Sequence, residues 1–280
     1  MGPIGLSLDT ANAELHAAQQ RVYHAFTAEP AAASHSFHLH FDFTAGAASA
    51  AWPFEFQAGQ LRFIADHYAG AIDVARQQGQ LTFTSAQPFA AADYFVRAAI
   101  ALLTFEAGGL LFHAAGLARH DRGYAFFGYS GSGKTTVARL STRARVLNDD
   151  LVVLWPEASH PAARQVSRRY GETGAQTREA RQWYMDATPF SNPTQVQPTG
   201  PYRVPLTALY RLIQDRRVFL EPLDPALALA EVVASSPIVC ADPDRAAALL
   251  DRAAQLTRAI PVQRLHFLPD DSFWNLIDPG

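Results

Sequence analysis

The chain has 280 residues, with 23 lysines and arginines against 26 aspartates and glutamates, a formal net charge of -3. That near balance argues against a general nucleic-acid binder, which carries a basic surplus or stripe, and against a polybasic membrane anchor. Hydrophobic residues at 49% and charged residues at 18% give a globular composition, too apolar for disorder, and the length suits one large domain or two small ones. The single cysteine, Cys240, excludes an intrachain disulfide and a cysteine-rich zinc site, and is expected as a buried helix-end residue. Lys134 is the only lysine, so the rest of the 23 lysines and arginines are arginine.

The opening residues lack a cationic stretch followed by an apolar one, so no signal peptide is expected. Apolar runs such as Ala98 to Leu103 fall short of the roughly 20 residues of a membrane span. The expectation is a cytoplasmic protein with no membrane or nucleic-acid partner.

Residues 1–88 read as a β-rich region. FHLHFDF (37–43) alternates apolar and polar, and FEFQ (54–57), LRFIA (61–65), AIDVARQ (71–77) and LTFTS (81–85) follow, punctuated by Gly59, Gly70 and Gly79. Short strands at regular intervals predict an antiparallel meander. It carries no catalytic constellation and is expected to be structural or to act as a lid. From 89 to 107 the pattern is helical, with Phe95, Ala98 or Ala99, Leu102 and Phe105 on one face and Gly108–Gly109 ending it. LLFHAAGLA (110–118) and YAFFG (124–128) predict two strands around a turn at 120–123. A helix over 135–144, a short strand RVLN (145–148) and a strand LVVLW (151–155) follow. Residues 156–182 are polar with five arginines, expected as a loop, and 191–205 hold four prolines, a connector. Asp224-Pro225 and Asp242-Pro243 predict capped helices at about 225–234 and 243–258, beside strands at 218–223 and 262–268.

GYSGSGKT, Gly128 to Thr135, matches the phosphate-loop pattern G-x-x-x-x-G-K-[ST], with an apolar strand before it and a helical pattern after it. Gly128, Gly131 and Gly133 let backbone N–H groups turn toward an anion, with Ser130, Ser132 and Thr136 completing the loop. Lys134 would supply a point charge for the β- and γ-phosphates and Thr135 a hydroxyl for Mg²⁺. The cofactors implied are ATP and Mg²⁺. Asp149 and Asp150 follow Lys134 at about the distance a helix and returning strand require. One carboxylate there can hold Mg²⁺ and the other can take a proton from an attacking hydroxyl. His113 lies on the strand whose partner feeds the loop. By itself it reads equally as a core histidine or as a group reaching the carboxylates.

Together, LFHAAGLA (111–118), GYSGSGKTT (128–136) and VLNDDLVVL (146–154) resemble the catalytic domain of HPr kinase/phosphorylase and its looser relatives, among them lasso-peptide kinases and free-serine kinases. DATPFSNPTQ (186–195) and VPLTALYRLIQ (204–214) continue the resemblance weakly. It implies an α/β (α+β) fold, a P-loop kinase core of the phosphoenolpyruvate-carboxykinase type over 89–280, beside the N-terminal β-rich region. It also implies a serine-type kinase, with Asp149 as general base, His113 contacting the catalytic carboxylate, and Thr135 and Asp150 on the metal. The acceptor would be a peptide, protein or small hydroxyl compound, and a homo-oligomer is left open. Two departures stand out. Thr135-Thr136 replaces the Ser-Glu of true HPr kinases after the loop lysine, and their later glutamate-and-arginine signature has only Glu172 as a stand-in. HPr itself is therefore not the expected acceptor. A nucleotide-binding degenerate kinase serving as scaffold or regulator is the alternative. A transporter-type ATPase is disfavoured, since no LSGGQ-like signature follows.

Overall fold

The computed structural model describes residues 4–27, 35–46, 54–65, 67–85, 88–157, 182–190, 196 and 200–279. It is a mixed α/β fold with two sheets. The first orders its six strands β1-β2-β6-β5-β4-β3, where β1 is Ile4–Thr10, β2 His35–Ala45, β3 Phe54–Gln57, β4 Gln60–Ala65, β5 Tyr68–Asp73 and β6 Gln78–Ser85. The period-two pattern works as expected: Phe37, Leu39, Phe41, Leu61, Phe63, Leu81 and Phe83 are buried on one face.

Three expectations change here. β3 to β6 form an antiparallel meander, but β2 pairs in parallel with β6 and β1 in parallel with β2. The strand expected at 71–77 ends at Asp73, whose carboxylate accepts the Arg76 N–H and closes a turn with Gln77 at positive φ. Gly70 and Gly79 are no punctuation marks but lie inside β5 and β6, and a Cβ at Gly79 would meet Leu39 Cδ2 at 2.7 Å. Sequence reading also missed β1 and the helix α1, Ala13–Tyr23, capped by Asn12 Oδ1 on the Leu15 N–H at 2.8 Å.

Helix α2, Pro88–Glu106, is buried nearly all round and ends at Gly108 in the left-handed region. Its 19 residues are long and apolar enough to cross a membrane, unlike the shorter run expected, yet most of it is buried inside the protein. Phe95 meets Phe41 and Phe63 of the first sheet, with ring centroids 5.8 and 5.2 Å away. The same helix packs on the second sheet, so one hydrophobic core runs from Ile4 through α2 to Ile260.

The second sheet orders its main path β10-β8-β9-β13-β12-β11-β7. These are β7 Leu110–Phe112, β8 Ala114–Arg119, β9 Arg122–Phe127, β10 Arg145–Asn148, β11 Val152–Pro156, β12 Trp183–Asp186 and β13 Arg203–Gln214. β15, Val262–Phe267, joins beside β13, and β14, Phe219–Pro222, pairs with β15. β13 runs parallel to β9 and β15; the remaining pairs are antiparallel. The single strand expected over 110–118 is split at His113: β7 pairs with β11 and β8 with β9. The loop helix α3 is shorter than expected, Lys134–Leu140, and caps a second core with Phe126, Tyr210, Phe273 and Trp274. The helix expected at 243–258 is a 3-10 turn, Pro243–Arg245, followed by α5, Ala246–Ala259; α4 is Pro225–Ala234 and α6 Trp274–Ile277. Cys240 lies exposed in the 3-10 turn 239–241, not buried at a helix end.

Candidate functional site

β9 delivers the chain to Gly128 and α3 begins at Lys134, so the glycine-rich loop spans a strand end and a helix start as the motif requires. Gly128, Gly131 and Gly133 have φ of 151°, 79° and 106°. A side chain at Gly133 would strike Phe267 Cζ at 2.5 Å, while Gly131 faces open space. The first turn of α3 leaves the Lys134, Thr135 and Thr136 amides without intrahelical acceptors. Ser130 and Thr136 are exposed, and Ser132 Oγ is buried with no partner.

Lys134 is buried, and its Nζ donates to the loop's own Gly128 and Tyr129 carbonyls at 2.9 and 3.3 Å. Burial, reinforced by nearby Arg211 and opposed by Asp150, lowers its pKa below the ordinary lysine value. Arg211, on β13, was not singled out from sequence. Its guanidinium lies under the Tyr129 ring at 4.4 Å and faces Glu231 at 3.2 Å.

The acidic pair follows β10 in a turn fixed by Asn148, another residue sequence reading missed. Fully buried, its Oδ1 accepts the Asp150 and Leu151 N–H groups at 2.8 and 2.9 Å, while Nδ2 donates to the Thr188 and Phe190 carbonyls. Thr188 closes the frame by donating to the Leu151 carbonyl at 2.6 Å. An asparagine before Asp-Asp is a turn signal that could have been read.

The two carboxylates face different surroundings. Asp149 is 1% exposed; its Oδ2 accepts the Val196 N–H at 3.3 Å, and its Oδ1 is buried with no partner. Burial raises its pKa, and hydrogen bonds from Val196 and the Thr135 side chain only partly offset that. Asp150 is gripped on both oxygens, by His113 Nε2 at 3.2 Å and by Arg97 Nη1 at 2.9 Å. Burial pushes its pKa up, but His113 and Arg97 outweigh it and hold it below the usual range. Thus Thr135 meets Asp149, and His113 meets Asp150 rather than Asp149. Arg97 joins the site from α2, where an Asp93–Arg97 pair four apart in an apolar helix was the available signal.

Among the described residues no three His, Cys, Asp or Glu side chains converge as a metal cage. The donor set instead suits a hard cation that keeps waters and shares phosphate oxygens: one hydroxyl, Thr135, beside one carboxylate with an unpaired oxygen, Asp149. The loop glycines, the lone lysine and the free helix-start amides fit a polyphosphate. The arginine-rich stretch 164–181, Glu172 and residues 191–195 lie outside the described residues. No protein-family model matches the chain, and neither does any curated protein.

Proposed function

We propose that this chain is a Mg-ATP-dependent kinase that transfers the γ-phosphoryl group to a hydroxyl, with serine in a peptide, a protein or a free amino acid as the acceptor class. The observation that carries the reading is the buried Asp149 beside Thr135, its Oδ1 unpaired, at the foot of a loop holding the chain's only lysine. The resemblance to HPr-kinase-like proteins points the same way, and a cytoplasmic setting, where ATP is held, goes with it.

The chain's own groups divide the work. Loop amides from 129 to 136 and Lys134 bind and orient the phosphates. Thr135 and Asp149 would hold the metal; when bound, Mg²⁺ supplies charge neutralisation at the β- and γ-phosphoryl oxygens. Asp150 accepts the acceptor hydroxyl's proton, held ionised by Arg97 and oriented by His113. His113, whose side chain is 40% exposed, lies where an acceptor arriving from solvent meets it. This assignment exchanges the roles expected of the two aspartates, because Thr135 touches one and the half-buried His113 the other.

Labelled-ATP transfer to serine-bearing acceptors tests it. Asp150→Asn should lower transfer on the order of a hundredfold or more with ATP affinity kept. Asp149→Asn should instead weaken ATP binding only when Mg²⁺ is present. Transfer retained in Asp150→Asn would overturn the base assignment. That the glutamate-and-arginine signature of true HPr kinases is not recognisable in this sequence favours one other reading: a nucleotide-binding scaffold without transfer. ATP binding with no product across the acceptor panel would establish that reading instead.

A further inference from the structure

Four polar contacts in series connect α1 to the candidate site. Tyr23 Oη donates to Asp93 Oδ1 at 2.5 Å. Arg97 Nε donates to Asp93 Oδ2 at 2.7 Å, and Arg97 Nη1 to Asp150 Oδ2 at 2.9 Å. His113 Nε2 meets Asp150 Oδ1 at 3.2 Å. Each carboxylate is held through both oxygens by different partners, which removes its freedom to rotate. Arg97 bridges two carboxylates with separate nitrogens of one planar fork, a geometry a lysine ammonium cannot reproduce.

The placement of this line is expensive. Asp93 and Arg97 sit mid-helix in α2, whose only other charged residue is Glu106. Arg97 Nη2 is buried without a hydrogen-bond acceptor, the guanidinium resting over the Phe190 ring at 4.7 Å. Buried ion pairs are often replaceable by apolar side chains with no loss of stability, so packing alone does not call for this one. Phe190 also supplies the carbonyl that holds Asn148, so Arg97 packs against the segment that frames the aspartate turn. Burial and the charge of Asp93 push the Tyr23 hydroxyl well above its usual pKa, so it stays a donor.

We propose that Tyr23, Asp93 and Arg97 are positioning residues that fix the orientation of the Asp150–His113 pair, coupling α1 to the candidate active site. The proposal rests on the kinase reading for its effect on transfer, but the coupling itself is measurable without it. The test compares full-length wild type with Tyr23→Phe, Asp93→Asn and Arg97→Lys, and with Gln20→Ala on the exposed side of α1 as control. Three quantities are read: the His113 imidazole resonances at one fixed pH, assigned with His113→Gln; the ATP affinity; and the kcat and KM of transfer.

Tyr23→Phe and Asp93→Asn should move the His113 resonances and lower kcat about tenfold, with ATP affinity unchanged. Arg97→Lys should do the same more strongly, and Gln20→Ala neither. Tyr23→Phe removes one hydroxyl and keeps the ring, so it reports even where the charged variants unfold. Unmoved His113 resonances in folded Tyr23→Phe overturn the proposal. Shifted resonances in a chain that transfers no phosphate uphold the coupling while the kinase reading alone fails.

Discussion

Asp149 and Asp150 are neighbours in sequence with opposed electrostatics, and this gives the sharpest residue-scale expectations. Asp150 has a lowered pKa, so its ionised form stabilises the fold. That contribution is present above the carboxylate's unfolded pKa and is lost as pH falls through the folded value. Asp150→Asn should therefore destabilise the protein at neutral pH by about 1–3 kcal/mol and flatten the acid limb of its melting-temperature profile. Asp149 has the opposite sign: burial makes its charge a liability above the unfolded pKa. Asp149→Asn should raise the neutral-pH melting temperature of the nucleotide-free protein while damaging metal-dependent binding, the exchange of stability for function expected where a site keeps an unpaired buried charge. Calorimetric scans of both variants across pH check the two signs together. Neither environment was legible in Asp-Asp itself. The loop, the lone lysine, the pair and the Asn148 turn could be read locally, but the Arg97–Asp150 contact and the hold of Asn148 Nδ2 on the Thr188 and Phe190 carbonyls exist only in the folded chain.

At the scale of elements, local pattern carried the short strands of the first sheet and the capped helix after Asp224, because alternation and caps are nearest-neighbour signals. It did not carry β1, nor the parallel pairing of β2 with β6, whose partners lie some 40 residues apart in register. The split at His113 was hidden for a related reason. The stretch 110–118 is apolar but for His113, and what divides it there is that β11 takes one half and β9 the other. That split leaves His113 between the strands, its N–H on the Ser235 carbonyl at 2.8 Å and its ring on Asp150. The strand-loop-helix unit makes its own prediction. Gly133→Ala adds a Cβ at positive φ against Phe267, so it should cost about 1–3 kcal/mol of stability and weaken ATP binding. Denaturant titration and an ATP binding isotherm measure both.

At the scale of the molecule, α2 belongs to both sheets, and the expected boundary at residue 88 falls at its first turn. Phe95 fills the first sheet's core while Arg97, two residues on, reaches the candidate site. A chain cut to 89–280 would expose the face that Phe41 and Phe63 cover. It should fail to give a monomer with the full chain's melting temperature, whereas full-length protein should unfold in one transition. Two separate transitions would show the halves to be independent. The membrane-length apolarity of α2 has the same origin, since a helix packed between two sheets needs apolar residues on every side.

The proposed kinase activity requires the loop from Gly128 to Thr135 to bind ATP with its metal through Lys134 and Asp149. Calorimetric titration of ATP, with and without Mg²⁺, into wild type, Lys134→Ala and Asp149→Asn tests it most directly. Wild type should bind ATP more tightly with Mg²⁺, Lys134→Ala should lose affinity on the order of a hundredfold, and Asp149→Asn should bind ATP without improvement by Mg²⁺. Equal ATP affinity in wild type and Lys134→Ala would contradict it.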